Sequence, residues 1–246
     1  MLRKLLARLQ AEGETMDEIA PTTLSGAVYA RLRQEIVDGA LEPGGKLQIG
    51  VVSARYGVTS TPVREALSQL TSEGFVLRRE QRGFSVADAS SAELQELTQT
   101  RCWVEETALR QAMLHPTPAW EEGIVLALHR LSRTKRSTDA AIFQENAAWE
   151  GAHRVFHMAL LATCPSRFMT AFCAQLGDHA TRYRRLAMTA VYPNRDILAE
   201  HRLIADAVLS GDATAAVGVL TSHYRRTASI VTGTMAEQPA RKTRCA

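Results

Sequence analysis

The sequence predicts a mainly α chain in two parts: a winged helix-turn-helix of three helices and a two-stranded wing over residues 22–88, then an all-α antiparallel helical bundle over residues 89–234. Three observations predict it. Apolar residues recur at helical spacing up to Leu70, alternate in strand fashion around residues 75–86, and return to helical spacing beyond Ser90 with prolines and glycines between the stripes. A length of 246 residues suits two domains. No apolar run approaches the roughly 18 residues of a membrane span, so no membrane partner is expected. The opening MLRKLLARLQAE is basic and apolar but lacks a small-residue cleavage site, and residues 1–21 read as an extension with a frayed amphipathic helix. Cys102, Cys164, Cys173 and Cys245 form no C-x-x-C pair, which argues against a disulfide scaffold or zinc ribbon and fits a reducing cytoplasm. The net charge of +3 admits an anionic partner without identifying one.

In the first part, Leu24, Val28, Leu32 and Ile36 form one stripe, Thr23 can cap it, and Gly39 stands where a left-handed helix end belongs. Pro43, Gly44 and Gly45 in LEPGGKLQ predict a turn before a short helix over Ile49–Tyr56 that Gly57 ends. In VTSTPVREALSQLTSEG, Thr61 suits an N-cap and Pro62 a first helical residue, with Val63, Ala66, Leu67 and Leu70 on one face. Two helices joined by a short turn at Gly57 make a helix-turn-helix, whose second helix enters the DNA major groove by its N-terminal end. Ser60, Thr61 and Arg64 occupy that end. Hydroxyls and amides there can hold phosphate, while Arg64 can reach a phosphate or a guanine edge.

FVLRREQRGFSVAD then reads as the wing, with Phe84 and Val86 alternating after a polar tip. Arg78, Arg79 and Arg82 gather positive charge at that tip, and Gly83 allows close approach to a sugar-phosphate backbone. A solvated hairpin tip would look the same alone; following a helix-turn-helix, it points to DNA.

In the second part, Ser90 and Glu93 form a capping box for a helix carrying Leu94, Leu97, Val104, Ala108 and Ala112 that ends near His115 and Pro116. Thr117 and Pro118 open a second helix through Leu131, a third is expected from about Asp139 to Ala162, and a fourth follows Pro165 with Phe168, Phe172 and Leu176. Pro193 is expected to open a fifth, Gly211 and Asp212 to turn the chain into a sixth, and residues 235–246 to form a disordered tail.

His153 and His157 are four residues apart on one helix face and can jointly hold a metal. His201 shares a face with Ile197, Ile204 and Val208, and His223 with Ala216, Leu220 and Ile230, so both point inward. A single inward histidine is commonly a hydrogen-bonded core residue; four together favour a metal site. Arg101 lies on the inward stripe of the first bundle helix, where it can hold a carboxylate bidentately or pair with Glu105 one turn on. Arg182, Arg184 and Arg185 read as a solvated face or an interface.

GVTSTPVREAL and EGFVLRREQRGFSV resemble the N-terminal domain of the GntR family of bacterial regulators over nearly all of residues 22–88. The resemblance implies DNA contacts at Thr61, Arg64, Arg82 and Gly83, and departs from the family at Ser60, where an arginine is common. Residues 89–234 resemble the FCD effector-binding domain of the FadR-type branch, through H-x-x-x-H, EHR and a histidine on the last helix. TRCWVEETALR, AHRVFH and DHATRYRRL are most similar to carbon-starvation-induced regulators within that branch. This implies a metal on His153, His157, His201 and His223, with His153 where an aspartate is usual, and an effector contact at Arg101. A nitrogen-only ligand set favours zinc first and nickel second. The expected partners are double-stranded DNA with a palindromic operator, a small carboxylate effector and a second copy of the chain in a homodimer. The alternatives are that the metal itself is the signal, or that the bundle is purely a dimerisation module. An enzyme is not expected, since the chain has no H-E-x-x-H, G-x-S-x-G or P-loop, nor the paired Glu-x-x-His motifs of a di-iron bundle.

Overall fold

The computed structural model describes residues 23–80, 82–139, 143–144, 146–187 and 195–237, and divides into two compact units between Ala89 and Ser90. In the first unit the Thr23 hydroxyl accepts from the Gly26 amide and opens α1 (Leu24–Val37), which ends at Asp38 before the left-handed Gly39. Gly57, at φ 66°, ends α2 (Ile49–Tyr56) and turns the chain into α3 (Ser60–Ser72). Val28, Leu32 and Ile36 of α1 pack on Val63, Leu67 and Leu70 of α3 in one buried core.

Two local expectations are corrected. The cap of α3 is Thr59, not Thr61, and Pro62 is its third residue rather than its first. Proline is tolerated there because no first-turn amide has an intrahelical acceptor. The wing has three strands, not two: β1 (Lys46–Leu47) pairs antiparallel with β3 (Gly83–Val86), which pairs antiparallel with β2 (Val76–Arg79). Two residues are too few to display alternation, so the third strand was hidden within a segment that reads as a turn. Gly44 locks this seam at φ 75°, its amide donating to the Val86 carbonyl at 3.1 Å, and a Cβ there would lie 3.0 Å from an Asp88 carboxylate oxygen.

The second unit contains α4 (Ser91–Met113), α5 (Pro118–Arg133), α6 (Ala147–Leu160), α7 (Arg167–Ala187), α8 (Ile197–Leu209) and α9 (Ala213–Glu237). Helix α4 packs on α7 and α9, α5 on α6 and α8, and α8 on α9, so the faces of α4, α6, α8 and α9 converge on one interior. Helix α6 starts at Ala147 behind the Asn146 cap, not near Asp139. Helix α8 starts at Ile197 behind Asp196, while Pro193 lies outside the described residues, as do the N-terminal extension and residues 238–246. Met235–Glu237 belong to α9 rather than to a tail.

The Ser90–Glu93 box is half built. The Ser90 hydroxyl accepts from the Glu93 amide, but the reciprocal bond passes through α7: Tyr183 Oη accepts from the Ser90 amide at 3.4 Å and donates to Glu93 at 2.7 Å. A tertiary hydroxyl therefore completes a cap that sequence assigns to a local pair. Replacing Tyr183 with Phe leaves the Ser90 amide and the Glu93 carboxylate without this partner, and is expected to destabilise the helical unit by about 1–2 kcal/mol. A lower urea midpoint for that unit with an unchanged m-value checks it; an unaltered midpoint contradicts it.

Candidate DNA-binding face and buried histidine centre

On the first unit, α3 and the wing frame an open groove lined by Lys46, Arg64, Arg78, Arg79 and Arg82, with Glu80 as the one acidic group. Arg79 is partly neutralised by Asp88 at 3.2 Å. Among the described residues Lys46, Arg64, Arg78 and Arg82 make no ion pair. Ser60, Thr61 and Arg64 are exposed along the first turns of α3, and Arg82 and Gly83 at the wing. The Thr59 side chain makes no capping bond, so the first-turn amides of Ser60 and Thr61 are left to an external acceptor. Gly83 has φ 79°, with nothing within 4 Å of where a Cβ would stand. Sequence reading missed Lys46, because only the unexpected β1 carries it to this groove.

In the second unit the four histidines meet. His153 and His157 project from α6, His201 from α8 and His223 from α9; all are buried, and one ligand atom from each lies within 4.8 Å of the others. His157 Nε2 is 3.2 Å from His153 Nε2 and 3.3 Å from His201 Nε2. A ring nitrogen has either one proton or one lone pair, so His157 Nε2 cannot hydrogen-bond to both neighbours. Neighbouring nitrogens about 2.05 Å from one metal ion stand about 2.9–3.3 Å apart, so both spacings suit adjacent ligands of a shared cation. The donor set therefore fits a shared cation better than it fits a hydrogen-bonded core. Trp149 stacks on His153 with ring centroids 4.8 Å apart, and Phe156 closes the apolar side.

Burial pushes the pKa of His153, His157 and His201 well below the usual imidazole range and lowers that of His223; Arg184 adds to the effect at His153. All four are thus neutral near pH 7, the form that offers a lone pair to a metal. Around them lie groups that sequence reading undervalued. Glu200 takes two hydrogen bonds from Arg195, at 2.9 and 2.6 Å, and lies 2.8 Å from His223 Nδ1. Burial alone would raise its pKa, but Arg195 and His223 hold it well below the usual carboxylate range. Tyr224 Oη donates to Glu105 and lies 3.1 Å from His157 Nδ1. Contacts this far apart in sequence leave no periodic signal.

Arg101 is buried beside this centre, its Nε 2.8 Å from Glu105 and its guanidinium 3.9 Å from the Tyr224 ring centroid. The Glu105 pair is therefore formed, and it is a buried bridge rather than a surface one. Two cavities of ≈ 30 Å³ each flank the histidines, and Arg101, His153 and Arg184 line both. Arg182 and Arg184 are buried, which corrects their reading as a solvated face; Arg184 bonds Glu150 at 2.5 Å. Arg184 continues the stripe of Cys173 and Leu176, so its inward position was readable. No helix among the described residues is long and apolar enough to cross a membrane.

Comparison with known proteins places both units. Residues 24–86 match the model of bacterial regulatory proteins of the gntR family, and residues 96–226 match the FCD domain. The chain is 36% identical over 209 residues to the HTH-type transcriptional regulator BphR of Paraburkholderia xenovorans, covering 85% of each protein. It is 29% identical to the HTH-type transcriptional repressor GlaR of Escherichia coli, covering 87% of this chain and 98% of that one. Its fold is shared with Escherichia coli McbR/YncC at a TM-score of 0.71 and 20% identity, covering 86% of this chain and 98% of that one. The chain belongs to the GntR family of bacterial DNA-binding transcriptional regulators, in the FadR-type branch that joins the helix-turn-helix to an FCD domain.

Proposed function

We propose that the protein is a cytoplasmic repressor that binds a palindromic operator as a homodimer and is controlled by a small carboxylate held in a metal-containing FCD domain. The observation that carries the control half is the convergence of four neutral imidazoles next to the buried Arg101. His153, His157, His201 and His223 would hold the divalent cation, zinc first and nickel second, since imidazole suits both. When bound, the cation supplies a Lewis-acidic anchor for one carboxylate oxygen. Arg101 contributes a forked donor for another, and Arg184 adds positive charge from the opposite helix.

Cavities of ≈ 30 Å³ are far smaller than the roughly 300 Å³ at which ligand pockets begin. A carboxylate can enter only if the long side chains of Arg101 and Arg184 move. Effector binding is then coupled to a repacking of α4 and α7, which is what transmission to the DNA-binding unit requires. The same tightness favours a second reading in which the metal alone is the signal. Operator affinity measured with and without zinc, in the absence of any carboxylate, separates the two.

On the DNA side, Thr61 and Ser60 are assigned to phosphate together with the first-turn amides of α3, Arg64 to a base edge or phosphate, and Arg78, Arg82 and Gly83 to the backbone beside the wing. Lys46 joins them as a phosphate contact. Arg64→Ala is expected to cost about 1–3 kcal/mol of operator affinity if it reads a base. Lys46→Ala is expected to weaken binding to all sequences alike and to lower the salt slope by about 1. Mobility shifts over a salt series check both, and wild-type affinity in both variants contradicts the placement.

Thermal-shift screening of metal-loaded protein with small carboxylic acids should find an effector that raises the midpoint by mass action. Arg101→Lys keeps the charge but loses the fork, and is expected to weaken that effector at least tenfold. Effector and operator must alter each other's affinity by the same factor; unequal factors would contradict an allosteric link.

Because burial holds the four histidine pKa values below their unfolded value near 6.5, the unfolded chain takes up more protons below that pH. The contribution of the cluster to stability is present above about pH 6.5 and is lost as pH falls below it. Thermal midpoints of metal-free protein should therefore decline from pH 7 to pH 5. Replacing His153 and His201 with Gln should flatten that decline, and an unchanged slope would show that the histidines do not carry it.

A further inference from the structure

We infer that Glu200 and the Tyr224–Glu105 pair are positioning residues that fix the Nδ1–H tautomers of His223 and His157, leaving the Nε2 of each with its lone pair free for a ligand role and wiring Arg101 to the histidine centre. The inference rests on the metal reading above for its consequence, but not for its geometry.

An imidazole ligates through a nitrogen that has no proton, so the other ring nitrogen must have one and needs an acceptor for it. His223 Nδ1 faces Glu200 Oε2 at 2.8 Å. An ionised carboxylate only accepts, and Arg195 at 2.6 and 2.9 Å and Arg226 at 3.0 Å keep it ionised and oriented. The proton of His223 is therefore on Nδ1. His157 Nδ1 faces Tyr224 Oη at 3.1 Å. The single phenolic proton is given to Glu105, which is salt-bridged to Arg101 at 2.8 Å, so the phenol oxygen receives the His157 proton. His157 Nε2 is then bare, facing the Nε2 atoms of His153 and His201.

The two supports come from different helices and serve different ligands. Glu200 on α8 orients a histidine of α9, whereas Tyr224 on α9 and Glu105 on α4 orient a histidine of α6. The second runs without a break from Arg101 through Glu105 and Tyr224 to His157. An anion that draws Arg101 away from Glu105 thus changes the hydrogen bonding of a metal ligand without touching the metal. No comparable carboxylate support reaches His153 or His201 among the bonds of the described residues.

The test uses full-length, 15N-labelled, metal-free protein and long-range proton–nitrogen correlation spectra, which distinguish protonated from bare ring nitrogens. Wild type is expected to show Nδ1–H and bare Nε2 at His157 and His223. Glu200→Gln keeps the volume, but Arg195 and Arg226 claim its amide oxygen and turn its NH₂ toward His223, so the His223 tautomer is expected to change. Tyr224→Phe is expected to leave His157 a mixture of tautomers while leaving His223 unchanged. Cobalt(II) affinity, measured by chelator competition, should fall about 10- to 100-fold in each variant, and the cobalt absorption spectrum should shift. The Glu200→Gln effect on affinity should vanish in a His223→Ala background. Nε2–H at His157 or His223 in wild type, or wild-type tautomers and cobalt affinity in both variants, would overturn the inference. Correct tautomers in a wild type that takes up no cobalt would overturn the metal reading and support the tautomer assignment.

Discussion

The helical unit is arranged around one electrostatic constraint: four imidazoles buried together must stay neutral, and His157 Nε2 faces the Nε2 atoms of His153 and His201 at 3.2 and 3.3 Å but cannot hydrogen-bond to both. An apolar cluster would pack there without difficulty. A polar one is tolerated only if each proton has an acceptor and the remaining lone pairs have a common partner. Glu200 and the Tyr224–Glu105 pair provide the first condition for two of the rings; under the function proposed above, a divalent cation would provide the second. Arg195 and Arg101 then balance the carboxylates of Glu200 and Glu105.

This arrangement explains why the bundle needs so many crossings. The histidines come from three helices, their supports come from α4, α8 and α9, and Arg184 on α7 lies against His153. Displacing any one helix misaligns a ligand or its support. Under the function proposed above, a small anion that rearranges Arg101 or Arg184 would act on the packing of α4 and α7 and not merely on a surface loop. Helix α4 starts at Ser91, immediately after the boundary between the two units, and under the same proposal it would carry the signal.

Much of this was legible in the sequence where periodicity and punctuation are strong. Thr23, Gly39, Gly57 and Thr117 mark helix ends because capping hydroxyls and left-handed glycines act locally, and inward histidines show as polar breaks in apolar stripes. What stayed hidden depends on distant partners. The strand at Lys46–Leu47 exists only because β3 pairs with it, the Ser90 cap is completed by Tyr183 from α7, and Glu200 reads merely as the residue before His201. The start of α6 at Ala147 was misjudged because residues 139–146 contain no helix breaker, although Asn146 is a good cap.

The measurement that bears most directly on the histidine centre is elemental analysis of full-length protein stripped with chelator, incubated with zinc and freed of excess metal. The account predicts one divalent cation per chain, retained on gel filtration and lost when His157 and His201 are both replaced by Ala. Wild-type protein that retains no zinc or nickel, or a double variant that retains as much as wild type, would contradict it.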